Sequence, residues 1–275
     1  MTATLLLTPP LLLDAHTAQR ATIHRNVQAQ ALAAFGLTED FNAADEVDRF
    51  LEQMFPVITG GQQLTGTTTA NYVAQVVSSL TGTPPTVMRI AATAVTALRG
   101  VPFATVYSRP FIAAGVALAA GATTAVAWKV GRDRLTRLVD DDLSMAHRAA
   151  AREALSSDKR VTGYRRVVRP EGASVCGLCV AASDQRYGRE DLMPIHTRCN
   201  CGVMPIVRTS FGREKDPGRE INGQDIEALY GTATDAAGST SSDELAAVRF
   251  SVHEHGELGP VITRAGDNFT GPADI

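Results

Sequence analysis

The chain has 275 residues, 44% of them hydrophobic and 20% charged, which excludes disorder throughout and leaves room for one large domain or two modest ones. Aromatic residues make up only 5% and alanine is plentiful, a mix that favours helices in small-residue contact over a β-sandwich. The net charge of −3 is uneven: residues 1–128 carry 6 basic and 7 acidic groups, residues 129–170 carry 11 and 6, and residues 171–275 carry 9 and 16. The basic centre is expected to be a solvated helix face, with nucleic acid or an acidic partner as the alternative.

The start, MTATLLLTPPLLLDAH, has leucines but neither a basic leader nor a small-residue cleavage site. No secretory signal is therefore expected, and the chain should be cytosolic when made. Ile23, Val27, Ala31 and Ala34 share one stripe of a first helix that ends at Gly36. His16 and His24, eight apart on that stretch, are expected in solvent. Val47, Phe50, Leu51, Met54 and Ile58 form a second stripe, with Pro56 bending or ending its helix and Gly60-Gly61 breaking the chain. Tyr72, Val73, Val76, Val77 and Leu80 make a third, and Val87, Ile90, Ala91, Ala94, Val95 and Leu98 a fourth.

The stretch Pro110–Trp128 is alanine-rich but broken by Gly115, Gly121, Thr123 and Thr124, so it reads as packed helices and not a membrane span. Two helices are expected from Arg109 to about Ser156, with a break near Gly121 or Gly131. Asp140-Asp141-Asp142 suggests a cation site. Consecutive helical residues point about 100° apart, however, so a solvated face is the favoured reading. His147 has no obvious partner.

The texture changes at Val161. GYRRVVRP (163–170) alternates like a strand, CGVMPIV (201–207) reads as its return, TSFGREKDPGRE (209–220) as a loop and INGQDIEALYG (221–231) as a short helix. TATDAAGSTSSDE (232–244) resembles a linker, 244–262 a short helix followed by a strand and turn, and the last residues an extended arm. His253-Glu254-His255 is too short for a zinc-protease helix and is expected on a strand that places the two histidines on one side. The fold class expected is α+β, mostly α: a helical domain over 1–160, a small Cys/His module over 161–210, and a C-terminal helix, strand and arm over 211–275.

All four cysteines lie in one pattern, C-x2-C-x16-H-x2-C-x-C, formed by Cys176, Cys179, His196, Cys199 and Cys201. A Cys-x2-Cys turn presents two thiolates to one ion, and the second group adds two or three donors at the start of a strand. Tetrahedral structural zinc wants four N and S donors, and soft thiolates exclude magnesium and calcium. Five candidates compete for four places: Cys176, Cys179 and Cys201 with either His196 or Cys199 is the preferred set. Reduced packed thiols, disulfides and a His196–Cys199 catalytic dyad are the other readings.

The segment GYRRVVRPEGASVCGLCVAASDQRYGREDLMPIHTRCNCGVMPI (163–206) resembles the MuF-like domain of tailed-phage minor head proteins. Its closing motif is His196-Thr197-Arg198-Cys199-Asn200-Cys201, where many relatives have His-Pro-Asn-Cys-Arg-Cys; the filler residues depart while the donors stay. VHEHGELGPVI (252–262) and the helical front half look like the versions from phages of actinobacteria. The resemblance implies a minor capsid protein present in few copies in the virion head, inside the procapsid, contacting the portal protein, the major capsid protein or scaffold, or packaged DNA. Such relatives are often labelled capsid maturation protease. No G-x-S-x-G elbow supports that label, so proteolysis is the runner-up. A DNA-contacting internal protein using 129–170 and Arg165-Arg166 is the third reading.

Overall fold

The computed structural model describes residues 7–86, 89–168, 175–183, 185–196, 199–223, 233–234 and 250–265; the side chains of 175–177 and 233–234 are outside that description. The architecture is α+β and mostly helical, as expected. Helices α1 (Pro9–Phe35), α2 (Ala44–Thr81), α3 (Phe103–Tyr107), α4 (Arg109–Ala119) and α5 (Thr124–Ser157) precede every strand. Then follow β1 (Val161–Val167), β2 (Val175–Cys176), α6 (Gly177–Ala181), β3 (Arg186–Tyr187), β4 (Gly202–Arg208), β5 (Glu214–Lys215), β6 (Ala233–Thr234), β7 (Phe250–His255) and β8 (Gly259–Arg264).

Two expected helices are one. Pro56 and Gly60-Gly61 all lie inside the 38-residue α2. An interior proline costs a helix about 3 kcal/mol, here opposed by burial of Phe50, Met54 and Ile58 around it. Gly61 is a point of close approach: a Cβ there would meet Val27 Cγ2 at 2.7 Å and Leu143 Cδ2 at 3.2 Å, so its absence lets α1, α2 and α5 touch. The helix ends at Gly82, left-handed at φ 72°, whose N–H bonds to Ser78 O.

The fourth stripe is not an α-helix in its described part. Only the 3-10 turn Ala92–Ala94 forms, and Ala97 at φ 54° and Gly100 at φ 67° turn the chain away. Val95 is nevertheless buried, filling the notch left by Gly66. The break between α4 and α5 falls at Gly121, with φ 88°; Gly131 instead sits within α5 against the ring of Phe35.

Helix α5 is the central post. It packs against α1, α2 and α4, and every residue from 141 to 151 is buried. This overturns the solvated-face reading of Asp140–Asp142. Asp142 accepts from Arg99 Nε at 2.5 Å and Tyr107 Oη at 2.7 Å, and Asp140 accepts from Gln28 and stands 3.3 Å from His24. The basic stretch is divided: Lys129, Arg132, Arg152 and Lys159 are exposed, as expected of a solvated face, whereas Arg148 and Arg166 are buried, Arg160 pairs with Asp158 and Arg165 with Asp216. Charges were placed inside because the helix is surrounded, and the partners come from other elements.

Asp141 is the exception, with Oδ1 buried and unbonded. Burial pushes its carboxyl up from 3.8 to about 7, against the pull of Arg99 and with Asp142 adding to the rise. A carboxyl raised in the folded state favours folding at low pH, and that contribution is lost as pH climbs through about 7. Asp141→Asn should therefore gain on the parent by about 2–4 kcal/mol between roughly pH 4 and pH 8. Urea unfolding of both proteins across that range checks it; a constant difference would mean that Asp141 is not held neutral.

Four strands form the sheet β3-β1-β4-β5, with β1 and β4 antiparallel as expected and Arg165 opposite Met204, while β2-β6 and β7-β8 form two-stranded sheets. The segment expected as a loop over 209–220 contains β5 and the start of a helical turn over 217–223. The expected linker and the final arm fall mostly outside the described residues. One hydrophobic core crosses residue 160, joining Leu12 and Leu13 of α1, Tyr72–Leu80 of α2 and Leu155 of α5 to Val161, Tyr164 and Val203 of the sheet. Tyr72 Oη donates to Val203 O at 2.8 Å, so helices and sheet are also hydrogen-bonded.

Candidate metal centre

The structure brings Cys179, Cys199 and Cys201 together. All three are buried and their sulfurs lie within 4.8 Å of one another, close enough to hold one metal ion. A tetrahedral site with metal–sulfur bonds of about 2.3 Å would space its sulfurs by roughly 3.8 Å, so small adjustments suffice. His196 joins the group through Cys179, its Nε2 2.9 Å from that Sγ. Cys176 ends β2, one residue before α6, and its side chain is outside the description.

Local structure explains the convergence. Cys179 rides on the single turn of α6, while Cys199 and Cys201 stand two apart immediately before β4. The Cys199 N–H bonds back to His196 O at 3.1 Å, forming a tight knuckle. The chain just before it is pinned to the β7–β8 hairpin: Ile195 N–H donates to Pro260 O and Ile262 N–H to Ile195 O.

Helices hold the knuckle from the other side. Arg20 of α1 donates to Cys201 O at 3.1 Å, and Ser144 of α5 donates to Cys199 O at 3.1 Å. Arg148, four residues and about one turn further along the same helix face, donates to Pro260 O at 2.9 Å and Met193 O at 3.3 Å. These carbonyl clamps fix the backbone from which two ligands project.

The charge is matched by Arg166. This residue is fully buried on β1, and one guanidinium nitrogen donates to Cys179 Sγ at 3.4 Å and Cys199 Sγ at 3.5 Å. Its other terminal nitrogen donates to Pro194 O. Hydrogen bonds from Cys179 and Cys201 hold the Cys199 thiol well below its usual range in spite of burial, with His196 and Arg166 adding. Cys201 is drawn down by Cys179, but its bond to Cys199, burial and the Cys199 charge together push it up to about 12. Burial opposes the charge of Arg166, while the three sulfurs keep it protonated. The cluster thus favours one anionic sulfur, that of Cys199, in the form that binds metals.

Arg166, Arg20, Ser144 and Arg148 were not legible as site residues. The one available signal was alternation, which puts Tyr164 and Arg166 on the same strand face and so an arginine where the core should be.

The expected histidine positions change. His16 and His24 are buried, not solvated. His16 stacks on Tyr72 with centroids 4.4 Å apart, and burial, helped by Arg20, drives its pKa down to about 3. His147 has a partner after all, with Nδ1 2.9 Å from Thr69 Oγ1. His255 caps its own turn, its Nδ1 accepting from the Glu257 and Leu258 N–H groups, while His253 is half-buried.

No helix among the described residues is long and apolar enough to cross a membrane. Neither the protein-family models, nor the curated proteins, nor the solved structures contain a match to this chain.

Proposed function

We propose that this protein is a MuF-like minor head protein of a tailed phage, acting structurally inside the procapsid, with zinc at the Cys179–Cys199–Cys201 centre. The observation that carries the reading is the agreement between the C-x2-C…H-x2-C-x-C spacing and three buried sulfurs that meet in space with His196 alongside. The donor set is soft and nitrogen-capped, which suits zinc. His196 is the fourth ligand in this proposal, or Cys176 takes that place with His196 bonded behind it.

Burial supports a staple over an active centre. Cys179, Cys199 and Cys201 are each at most 4% exposed, so a substrate carbonyl has no route to any of these thiols. A segment this rich in short strands has little core of its own, and a metal ties its two ends together. Leu11, Ile112 and Val116 are exposed apolar residues on the helical half, available to the portal protein, the major capsid protein or scaffold. The alternatives are a maturation protease and an internal DNA-contacting protein. Burial of Arg166 and the pairing of Arg165 with Asp216 leave the DNA reading to the exposed basic residues of the 129–170 segment, such as Arg132, Arg152 and Lys159.

Mass spectrometry of purified mature particles tests the proposal. The chain should be present, intact and in few copies. A self-cleaved chain, together with unprocessed head precursors when it is deleted, would establish the protease instead.

A further inference from the structure

A cavity of about 240 Å³ lies between α2, the 96–103 connector, α3 and α5, and no cysteine is among its lining residues. Its walls are apolar: Ile58, Leu98, Val101 and Val106, with an aromatic run from Phe55 to Phe103 to Tyr107. Phe55 and Phe103 meet edge to face at 5.3 Å, and Phe103 stacks on Tyr107 at 4.4 Å. Phe55 is half exposed, so the aromatic run leads from the surface inward.

Its polar end is built from buried groups. Asp142 is engaged on both oxygens, by Tyr107 Oη and Arg99 Nε, and Arg99 in turn meets Glu257. Carboxylate and guanidinium therefore neutralise each other, and an incoming charge would find no unmatched counter-charge. Gln62 is different. The residue is 4% exposed and lines the cavity, no side-chain hydrogen bond ties it to another described residue, and its amide atoms are not among the sealed, unbonded polar atoms, so they face the cavity's open space. An amide that faces a cavity can be satisfied by what enters it. The connector on the rim holds Ala97 at φ 54°, a conformation that non-glycine residues rarely adopt and that recurs at ligand-holding segments.

We infer that this cavity is a binding site for a small uncharged aromatic group carrying an amide, the ring lying along Phe103 and Tyr107 and the amide paired with Gln62. Size sets the class. A cavity of about 150 Å³ takes benzene, whereas drug-sized ligands and cofactors need some 300–1,000 Å³. This one therefore fits a single ring and a short substituent. Charge sets the rest, because the ion pair at the floor is already balanced. Gln62 offers one donor group and one acceptor, the complement of a carboxamide. The same chemistry is presented by a free aromatic amide and by a phenylalanine side chain beside its own peptide group.

The test uses the full-length, metal-loaded protein and methyl NMR of Ile58, Val101 and Val106. Benzamide should shift these signals saturably, and benzoate should bind at least about tenfold more weakly because its charge must be desolvated. Gln62→Leu should weaken benzamide about tenfold while leaving toluene unchanged, the toluene response showing that the variant is folded. N-acetylphenylalaninamide separates the sources: tighter binding than benzamide assigns the site to a polypeptide, weaker binding to a free small molecule. Absence of saturable shifts, or equal loss of benzamide and toluene in Gln62→Leu, overturns the inference.

Discussion

Replacing Arg166 with leucine should destabilise the protein by about 3–5 kcal/mol, the usual result of stripping one partner from a buried charged group. The guanidinium lies against Cys179 and Cys199 and also holds Pro194 O, so its loss leaves both the sulfur charge and a carbonyl unmatched. Arg166→Lys should recover only part of the loss, since a single ammonium cannot span two sulfurs and a carbonyl as a planar fork does. Urea unfolding at a fixed zinc concentration measures both variants. A leucine variant as stable as the parent would show that the cysteine cluster carries no buried charge.

Cys179→Ser should abolish tight metal binding and lower stability by a similar amount, about 3–5 kcal/mol or roughly 10 °C in melting temperature. A hydroxyl is a poor, hard replacement for a thiolate. Metal-dependent peptides often unfold completely without their ion. Here the shared core argues for a smaller loss, because Leu13, Tyr72 and Leu155 pack on the sheet whether or not metal is bound. The loss should also spread. Arg20 and Ser144 clamp the carbonyls of Cys201 and Cys199, so hydrogen exchange should rise at the knuckle and β1 first, then at the facing turns of α1 and α5. The remote end of the bundle, around Phe35 and Phe111, belongs to a second core and should remain protected. Uniform loss of protection along the whole chain would contradict this graded coupling.

The legible parts of the sequence were those with local causes. The break at Gly121, the β1–β4 pair and the metal pattern each follow from a few neighbouring residues. The misread parts depended on the fold as a whole. Pro56 and Gly60-Gly61 are breakers in isolation, but Gly61 is where three helices touch, and packing there outweighs the local preference. Asp141, Asp142 and Arg148 look like solvent residues on a helix considered alone. They are internal because α5 is enclosed, and Arg99, Tyr107 and the Pro260 carbonyl that meet them come from distant segments. Periodicity marks apolar faces, but it carries no information on whether the polar face of a helix will find partners. Arg166 is hidden for the same reason, since its sulfur partners lie 13 and 33 residues away.

The central claim is that Cys179, Cys199 and Cys201 hold a structural metal. Elemental analysis of the purified full-length chain, paired with thermal unfolding before and after chelation, tests it most directly. About one zinc per chain and a clear fall in melting temperature on its removal are predicted. A folded, metal-free protein whose stability is indifferent to zinc would contradict the claim.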